Sequence, residues 1–320
     1  MTRMEVFRSI EEAGALRGCA VAIGNFDGVH IGHRQLFERT RALAGARGAK
    51  AAILTFDPHP VRVLRPELAP PLLTPLPRRI ELFAECGLDA TVVQRFDLEY
   101  ARTTADEFVA RELAVRLGAR DVVVGYDFTA GRDRVRGRSL RPLVEAHGMT
   151  LEVVEPVAAE GLVASSTKIR EFLLEGLVDA AAQLLARPYD VDGVAVRGAG
   201  LGRTLGFATA NVRSEAMLPA NGVYAVRVLL REPGEAARAR AYDGVCNVGT
   251  KPTVQASGPV LAEVHLLDFE DRDLYDQQLR IAFVARLRDE RRFPSLDALR
   301  AQILVDASRA RELLRQSPPM

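Results

Sequence analysis

The stretch from residue 20 to residue 33, AVAIGNFDGVHIGH, constrains the fold of this chain more than any other. Its four leading apolar residues predict a buried strand, and Gly24 and Gly28 allow a sharp turn after it. Apolar residues then recur every three or four positions, which predicts a helix. The loop therefore leads to a helix N-terminus, where backbone N–H groups favour an anion. His30 and His33 flank that point and can donate hydrogen bonds to phosphate oxygens, so the stretch predicts a site for phosphate chemistry.

Strand-like and helix-like segments alternate through the first half of the chain. Strands are predicted at 51–56, 90–93, 121–124 and 151–154, and helices at 76–85, 105–117 and 139–147. Repeated strand–helix units predict a parallel sheet with helices on both faces. Ligands of such sheets bind beyond the carboxyl ends of the strands. The loops that begin at Gly24, Asp57 and Gly125 are therefore candidate binding loops.

The pattern changes after residue 185, where Pro188 interrupts the helical spacing. Short strand-like segments follow at 193–197, 223–230, 241–248, 260–267 and 279–287, and an amphipathic helix is predicted at 295–314. Closely spaced strands without intervening helices predict an antiparallel β-barrel. We therefore expect two abutting domains, residues 1–185 and residues 186–320.

Composition narrows the class of protein. The chain has 320 residues, 48% of them hydrophobic, and a net charge of +1, which does not favour a broad nucleic-acid or membrane surface. No stretch is apolar enough for a signal peptide or a membrane span. The three cysteines are scattered, as is typical of a reducing compartment. We expect a cytoplasmic protein.

A run of hydroxyl side chains, Ser165, Ser166 and Thr167, precedes a segment with helical spacing. The run therefore lies at a helix start. One interpretation is a helix cap. The other is a triphosphate site, since three hydroxyls followed by Arg170 exceed what a cap needs.

A glycine-rich segment, residues 198–206, opens the predicted barrel. It fits neither G-x-G-x-x-G nor the P-loop pattern, but backbone amides of such a flap, including those at Gly202 and Gly206, can approach phosphates. Thr209 and Asn211, two residues apart on a strand, point the same way. A hydroxyl and an amide oxygen can ligate a hard cation such as Mg²⁺; the alternative is a turn with two surface polar groups.

Glu263 is a carboxylate within an apolar strand. Such a residue needs a partner or a chemical role. It is either half of a salt bridge at the barrel rim or a general base.

The first half resembles the flavin adenylyltransferase module and the second the riboflavin kinase module, so the chain resembles the bacterial bifunctional riboflavin kinase/FAD synthetase family. The motifs that carry this resemblance are 24–33 (GNFDGVHIGH), 55–60 (TFDPHP), 125–128 (GYDF), 165–170 (SSTKIR), 206–211 (GFATAN), 242–253 (YDGVCNVGTKPT) and 273–275 (DLY). Together they run through nearly the whole chain. The resemblance implies a Rossmann-like nucleotidyltransferase domain followed by a barrel with a C-terminal helix.

The resemblance implies two ATP-dependent reactions, riboflavin to FMN and then FMN to FAD with release of pyrophosphate. In the kinase, Thr209 and Asn211 would bind Mg²⁺ and Glu263 would be the base. In the adenylyltransferase, His30 and His33 would stabilise charge on the α-phosphate. The implied nucleotide-binding residues are Gly24, Phe26, Asp27, Gly32, Asp127, Ser165, Ser166, Thr167, Arg170, Gly202 and Gly206. The implied flavin-binding residues are Phe56, Pro58, His59, Phe108 and Arg288. The implied partners are small molecules, with neither nucleic acid nor membrane among them, and the sequence sets no oligomeric state.

The chain departs from the family pattern at four positions. Ala208 stands where proline is usual, Ala130 and Leu64 stand where aromatic residues are usual, and Asp276 replaces a glycine. A lost stacking partner costs about 0.5–1.5 kcal/mol. Two alternatives stay open: a riboflavin kinase with a weakened or differently specific adenylyltransferase module, and a flavin-binding regulatory protein.

Overall fold

The computed structural model describes residues 4–196, 209–231, 239–250, 260–269 and 274–317. The chain divides after Ser165 into two compact units. The first contains a parallel sheet and the second a closed antiparallel barrel, which confirms the predicted fold class. The second unit begins with α-helices at Ser166–Glu175 and Val178–Leu185. The domain boundary placed at residue 185 from the sequence stays a prediction.

The first unit is built around a six-stranded sheet. Its strands are β1 (Glu5–Phe7), β2 (Ala20–Ile23), β3 (Ala51–Asp57), β4 (Ala90–Arg95), β5 (Asp121–Gly125) and β8 (Thr150–Val154), with hairpins β6 (Thr129–Ala130)–β7 (Val135–Arg136) and β9 (Ala158–Ala159)–β10 (Leu162–Val163). The sheet order is β1-β4-β3-β2-β5-β8, and every pairing in it is parallel. The strand order reverses between β2 and β5, so the ends of these two strands form the crevice where ligands of such sheets bind.

Helices cover both faces of this sheet. They are α1 (Ile31–Arg47), α2 (Pro60–Leu64), α3 (Leu76–Glu85), α4 (Ala105–Glu107) and α5 (Arg141–Ala146), with a π-helix at Phe108–Leu117 and 3₁₀ turns at Glu11–Leu16, Pro66–Leu68, Tyr100–Arg102 and Gly137–Leu140. Val21 and Val122 belong to the core on one face, and Ala22 and Val123 to the core on the other. This alternation explains why the central strands are apolar throughout.

The second unit is a barrel with helices packed on it. Its elements are α6 (Ser166–Glu175), α7 (Val178–Leu185), β11 (Tyr189–Val196), β12 (Thr209–Ser214), β13 (Gly222–Arg231), β14 (Ala239–Thr250), β15 (Val260–Leu266), β16 (Gln278–Arg288) and α8 (Leu296–Gln316). The barrel closes in the order β11-β12-β15-β14-β13-β16. Ser295 caps α8 by accepting a hydrogen bond from the Ala298 amide at 3.2 Å. Ala307, Ala310 and Leu314 of α8 pack on the outside of β13 and β14.

The strand predicted at 193–197 begins earlier, at Tyr189, and its last residue lies outside the described part of the chain. Among the residues that the structure describes, no helix has the length and apolar character that a membrane crossing requires.

Candidate active sites

The loop between β2 and α1 is strained. Phe26 has φ of 53° and Val29 has φ of 47°, while Gly28 has φ of 91°. A β-branched residue rarely takes this left-handed conformation, because its side chain crowds the backbone. The Phe26 ring, 3% exposed, packs edge-on against the rings of His33, Phe37 and Phe83. This burial offsets the backbone strain and fixes the loop.

Two glycines make room for these rings. A Cβ on Gly24 would lie 2.9 Å from Cζ of Phe26, and one on Gly32 would lie 3.1 Å from Cε1 of His30. Gly28 provides the sharp turn predicted from the sequence. Gly24 instead provides the space into which Phe26 folds.

His30 and His33 lie side by side at the N-terminus of α1. Their rings are stacked, with centroids 3.6 Å apart and an interplanar angle of 23°. His30 immediately precedes the helix and its backbone carbonyl accepts from the Arg34 amide. The Nδ1 atoms of both rings are buried without a hydrogen-bond partner among the described residues. The predicted pairing of the two imidazoles at a helix N-terminus is therefore present.

The two histidines are uncharged at neutral pH. Burial lowers the pKa of His30 to about 4. Burial also lowers the pKa of His33 well below its usual value, and the nearby His30 and Arg79 lower it further. A neutral imidazole carries one N–H, so each ring can donate one hydrogen bond to an anion at the end of α1.

A second segment, residues 73–79, forms hydrogen bonds with this loop. The Asp27 carboxylate, 3% exposed, accepts hydrogen bonds from the Thr74 amide at 2.8 Å and the Leu73 amide at 3.1 Å. Arg79 of α3 donates from Nη1 to the Asn25 carbonyl. Asp27 thus holds the loop in place, and its predicted contact with nucleotide stays a prediction.

The loop after β5 carries Asp127, the exposed carboxylate predicted to lie near nucleotide. Its Oδ1 lies 3.1 Å from the point where a Cβ on Gly125 would stand. Because β5 pairs directly with β2, the crevice between these strands is flanked by this loop and the histidine loop.

The predicted flavin-binding aromatic residues of the first unit are largely buried. Phe56 is 8% exposed and Phe108 is 5% exposed, and both belong to one core cluster that also includes Ala130. Phe56 lies edge-on to Phe96, with ring centroids 5.9 Å apart. Leu64 is 52% exposed. Both rings are part of the hydrophobic core on one face of the sheet, and their contact with flavin stays a prediction.

Pro58 and His59 follow β3 on the same edge of the sheet. Nδ1 of His59 accepts from the Val61 amide at 3.2 Å and caps α2. Pro58 is exposed. Both remain predicted flavin contacts.

The hydroxyl run precedes a helix as predicted, because α6 begins at Ser166. Ser165, Ser166 and Arg170 are half-buried, and Thr167 is exposed. Lys168 pairs with Glu171 at 2.9 Å within the same helix. The choice between a cap and a triphosphate site stays a prediction.

In the barrel, the predicted metal ligands and the predicted base share one face. Asn211 of β12 is directly opposite Glu263 of β15, which is directly opposite Asn247 of β14. The neighbouring row, Ala210, Val264 and Cys246, is buried and points into the barrel. Glu263 and its neighbours therefore lie on the outer face.

The residues on this outer face suit a hard cation. Thr209 lies two positions before Asn211 and faces the same side, so a hydroxyl, an amide and a carboxylate point to one region. Oxygen donors of these three kinds are those that Mg²⁺ prefers. Burial, followed by the nearby Glu263 carboxylate, raises the pKa of the Cys246 thiol. Gly202, Gly206 and Ala208 lie outside the described residues.

Arg288 is held at the end of β16. It forms hydrogen bonds from Nε and Nη2 to the Asp306 carboxylate of α8, with Nη2 to Oδ2 at 2.8 Å, and its Nη1 donates to the Asp289 carbonyl at 2.8 Å. The predicted flavin contact of Arg288 would therefore use the face of its guanidinium. Asp276 takes φ of 60°, the conformation for which glycine is favoured at that position.

Two residues of these sites were not singled out from the sequence. Arg79 sits in an amphipathic helix, where an arginine is ordinarily solvated, and only its place in the helical spacing marked it as inward-facing. Asn247 donates from Nδ2 to Glu290 Oε1 at 3.0 Å. Its polar side chain amid the apolar strand segment 245–248 was the available signal.

Comparisons with known proteins give one family match for each half of the chain. A family model described as FAD synthetase matches residues 12–168, and one described as riboflavin kinase matches residues 185–314. The bifunctional riboflavin kinase/FMN adenylyltransferase of Pseudomonas fluorescens is 38% identical over 303 residues, 94% of each chain. Its counterpart in Escherichia coli K12 is 37% identical over 304 residues, 94% of this chain and 95% of that one.

A solved structure shows a similar fold over the same extent. The crystal structure of a macrolide-efflux protein from Streptococcus pneumoniae is 28% identical and has a TM-score of 0.84, covering 96% of this chain and 98% of that one. The curated relatives match the chain at higher identity over both units. The chain therefore belongs to the bifunctional riboflavin kinase/FMN adenylyltransferase family.

Proposed function

We propose that the two activities of this enzyme, phosphorylation of riboflavin and adenylylation of FMN, take place at two separate sites in the chain. Adenylyl transfer takes place at the loop of His30 and His33, and phosphoryl transfer on the outer face of the barrel around Glu263. The observation that carries this proposal is that the candidate catalytic residues of the two reactions belong to different compact units. The stacked histidines belong to the first unit, and the row of Asn211 and Glu263 belongs to the second.

In adenylyl transfer, a phosphate oxygen of FMN attacks the α-phosphorus of ATP, and pyrophosphate leaves. The N–H groups of His30 and His33 donate to the α-phosphate oxygens as charge accumulates on them, together with the N-terminus of α1. No side chain forms a covalent bond. The nucleotide is held by Gly24, Phe26, Gly32 and Asp127. Ser165, Ser166, Thr167 and Arg170 hold the β- and γ-phosphates.

In phosphoryl transfer, Glu263 accepts the proton of the riboflavin 5′-hydroxyl as that oxygen bonds to the γ-phosphorus of ATP, the bond from this phosphorus to the bridging oxygen breaks, and ADP leaves. Thr209 and Asn211 hold Mg²⁺, which when bound neutralises charge on the phosphates. The proposal is supported by the shared face of these three residues on paired strands. Gly202 and Gly206, outside the described residues, are proposed to bind phosphate through their backbone amides.

The flavin ring is proposed to contact Pro58, His59, Phe56 and Phe108 at the adenylyltransferase site and Arg288 at the kinase site. The planar guanidinium of Arg288, fixed by Asp306, offers a flat cationic surface for an aromatic ring.

The remaining proposals concern organisation and location. We place the functional boundary at residue 185, so that α6 and α7 serve the adenylyltransferase. We also place the enzyme in the cytoplasm, which is supported by free thiols at all three cysteines.

A product assay tests the proposal. Purified protein is incubated with riboflavin, ATP and Mg²⁺, and the flavins are separated. We expect FMN to form first and FAD to follow, and omission of Mg²⁺ to stop FMN formation. Accumulation of FMN without FAD would contradict the adenylyltransferase site and make Ala130 and Leu64 the first positions to restore to aromatic residues.

A further inference from the structure

Arg79 occupies an unusual position for a positively charged residue. It lies in the first turn of α3 and is 1% exposed. Positive charge is disfavoured at a helix N-terminus, and burial of a charge is costly unless specific partners offset it. The adjacent Arg78, in contrast, pairs with Glu81 and Glu85 of its own helix at 3.2 and 2.7 Å.

The partners of Arg79 belong to the active-site loops. Its Nη1 donates to the carbonyl of Asn25, the residue that precedes the strained Phe26. Burial lowers the pKa of Arg79, and the carboxylates of Asp27 and Asp57 act in the opposite direction. Arg79 is therefore a buried cation held between the end of β3 and the loop after β2.

The segment that contains Arg79 is hydrogen-bonded to the loop at two residues. The Asp27 carboxylate accepts hydrogen bonds from the amides of Leu73 and Thr74, just before α3. Arg79 donates to the carbonyl of Asn25, two residues earlier in the loop. The left-handed Phe26 lies between these two attachments. Loss of the second attachment would free the chain on the side of β2 and let Phe26 and the His33 ring against it move.

Several residues of this loop and of the segment that holds it have buried polar atoms without partners. Asn25 Oδ1, His30 Nδ1, His33 Nδ1, Thr74 Oγ1 and Arg79 Nε are all buried without a hydrogen-bond partner among the described residues. Most buried polar atoms of native proteins are paired, and exceptions are found at functional sites. Arg79 also lies close enough to His33 to affect its electrostatics.

We propose that Arg79 is a positioning residue for adenylyl transfer, which holds the loop of His30 and His33 in its strained conformation and places a fixed positive charge beside His33. The inference rests on the proposal that FAD forms at these two histidines. Arg79 acts through the loop and through His33, so its loss affects the rate of the chemical step more than the binding of ATP.

Three variants test this inference. Arg79→Met removes the charge and the hydrogen bond, Arg79→Lys keeps the charge on a side chain without the planar fork, and Arg78→Met is the matched control on the same helix. Thermal unfolding and circular dichroism establish that each variant is folded. FAD formation from added FMN is measured for each, with FMN formation from riboflavin as the internal reference.

We expect kcat for FAD formation to fall by about 10- to 100-fold in Arg79→Met, because displacement of a catalytic group by about 1 Å lowers the rate by that order. The change in KM for ATP should be smaller. Arg79→Lys should recover part of this loss. Arg78→Met should stay within about 3-fold of the wild type, and FMN formation should be unchanged in all three.

The pH profile separates positioning from simple stabilisation. Arg79 and His30 are the charged or titratable groups that oppose protonation of His33, and Asp27 and Asp57 face Arg79. Removal of the cation raises the pKa of His33, so the acid limb of kcat/KM for FAD formation should move to higher pH in Arg79→Met and not in Arg78→Met.

Three outcomes overturn the inference. One is equal FAD formation in Arg79→Met and Arg78→Met. Another is an unchanged acid limb in Arg79→Met together with a lowered unfolding temperature, which would make Arg79 a purely stabilising residue. If Arg79→Met does not fold, Arg79→Gln also removes the charge, and a folded Arg79→Gln variant with wild-type kcat and pH profile overturns it. Undiminished FAD formation in His30→Ala would instead contradict the proposed function on which the inference rests.

Discussion

At the scale of single residues, the proposed adenylyl transfer depends on two histidines that are kept neutral. The rings of His30 and His33 stack with centroids 3.6 Å apart, and His30 is buried, so a charge on either ring would be poorly solvated and would repel a charge on the other. Neutral rings can lie in contact, and each carries one N–H that can donate a hydrogen bond. A triphosphate that enters such a site meets donors already oriented, which reduces the reorganisation that the reaction requires.

Titration of the histidines tests this description. The unfolded chain binds protons at both residues below about pH 6.5, whereas folded His30 does so only near pH 4. The free energy of unfolding should therefore fall as pH drops from about 6.5 to about 4, by about 1.4 kcal/mol per pH unit from His30, and the lowered pKa of His33 acts in the same direction.

In NMR spectra of the ligand-free protein, we expect the imidazole signals of His30 and His33 to hold their shifts from pH 8 down to about pH 5.5. His30→Gln and His33→Gln assign the two signals. A titration midpoint near 6.5 for either histidine would contradict the burial described here.

At the scale of elements, the second residue of helix α1, Gly32, leaves room for the His30 ring at the start of the helix. A Cβ on Gly32 would lie 3.1 Å from Cε1 and 3.2 Å from Nδ1 of His30. The His30 ring is stacked on His33 and buried, so it has little room to yield. The same helix contains Gly45, where an added Cβ would meet no other atom within 4 Å among the described residues.

The two glycines provide a matched pair of variants. Gly32→Ala should displace the His30 ring and lower FAD formation by about 10- to 100-fold, with FMN formation unchanged. Gly45→Ala adds the same methyl group to the same helix and should stabilise it by roughly 1 kcal/mol, with both activities retained. Steady-state rates and thermal unfolding of both variants check this, and equal FAD formation in the two would refute the steric role of Gly32.

The elements show how far periodicity predicts a structure. The helix predicted at 76–85 has those bounds because its apolar residues recur on one face. The segment 105–117 is helical as predicted, but it is a π-helix from Phe108 onward. The spacing of apolar residues does not distinguish the hydrogen bonds of an α-helix from those of a π-helix. Strand β1, Glu5–Phe7, is too short for an alternating pattern and was not predicted.

The candidate sites were predictable to the extent that a motif ties residue type to chemistry. His30, His33 and Glu263 could be named because imidazole and carboxylate groups rarely stand in such runs without a role. Arg79 could not, because its function depends on a carbonyl 54 positions away in the chain. The pairing of Asn211 with Glu263 likewise follows from the strand order of the barrel, which sequence periodicity does not contain.

At the scale of the whole molecule, the chain combines two folds that suit two reactions. The parallel sheet offers a crevice at its switch point, between β2 and β5, where the donors of a loop and a helix N-terminus meet. The barrel offers an outer face on which oxygen ligands from neighbouring strands stand in register. Each reaction is expected to depend on its own catalytic residues and to be independent of substitutions at those of the other reaction.

A paired comparison of His30→Ala and Glu263→Gln shows whether the two reactions use separate catalytic residues. Both variants are assayed for FMN formation from riboflavin and for FAD formation from added FMN, after thermal unfolding has shown that they are folded. We expect His30→Ala to abolish FAD formation while FMN formation survives. Glu263→Gln should lower kcat for FMN formation by about 10²–10⁴-fold, the usual effect of losing a general base, while FAD formation is untouched. Parallel loss of both activities in either folded variant would contradict the account of two independent sites.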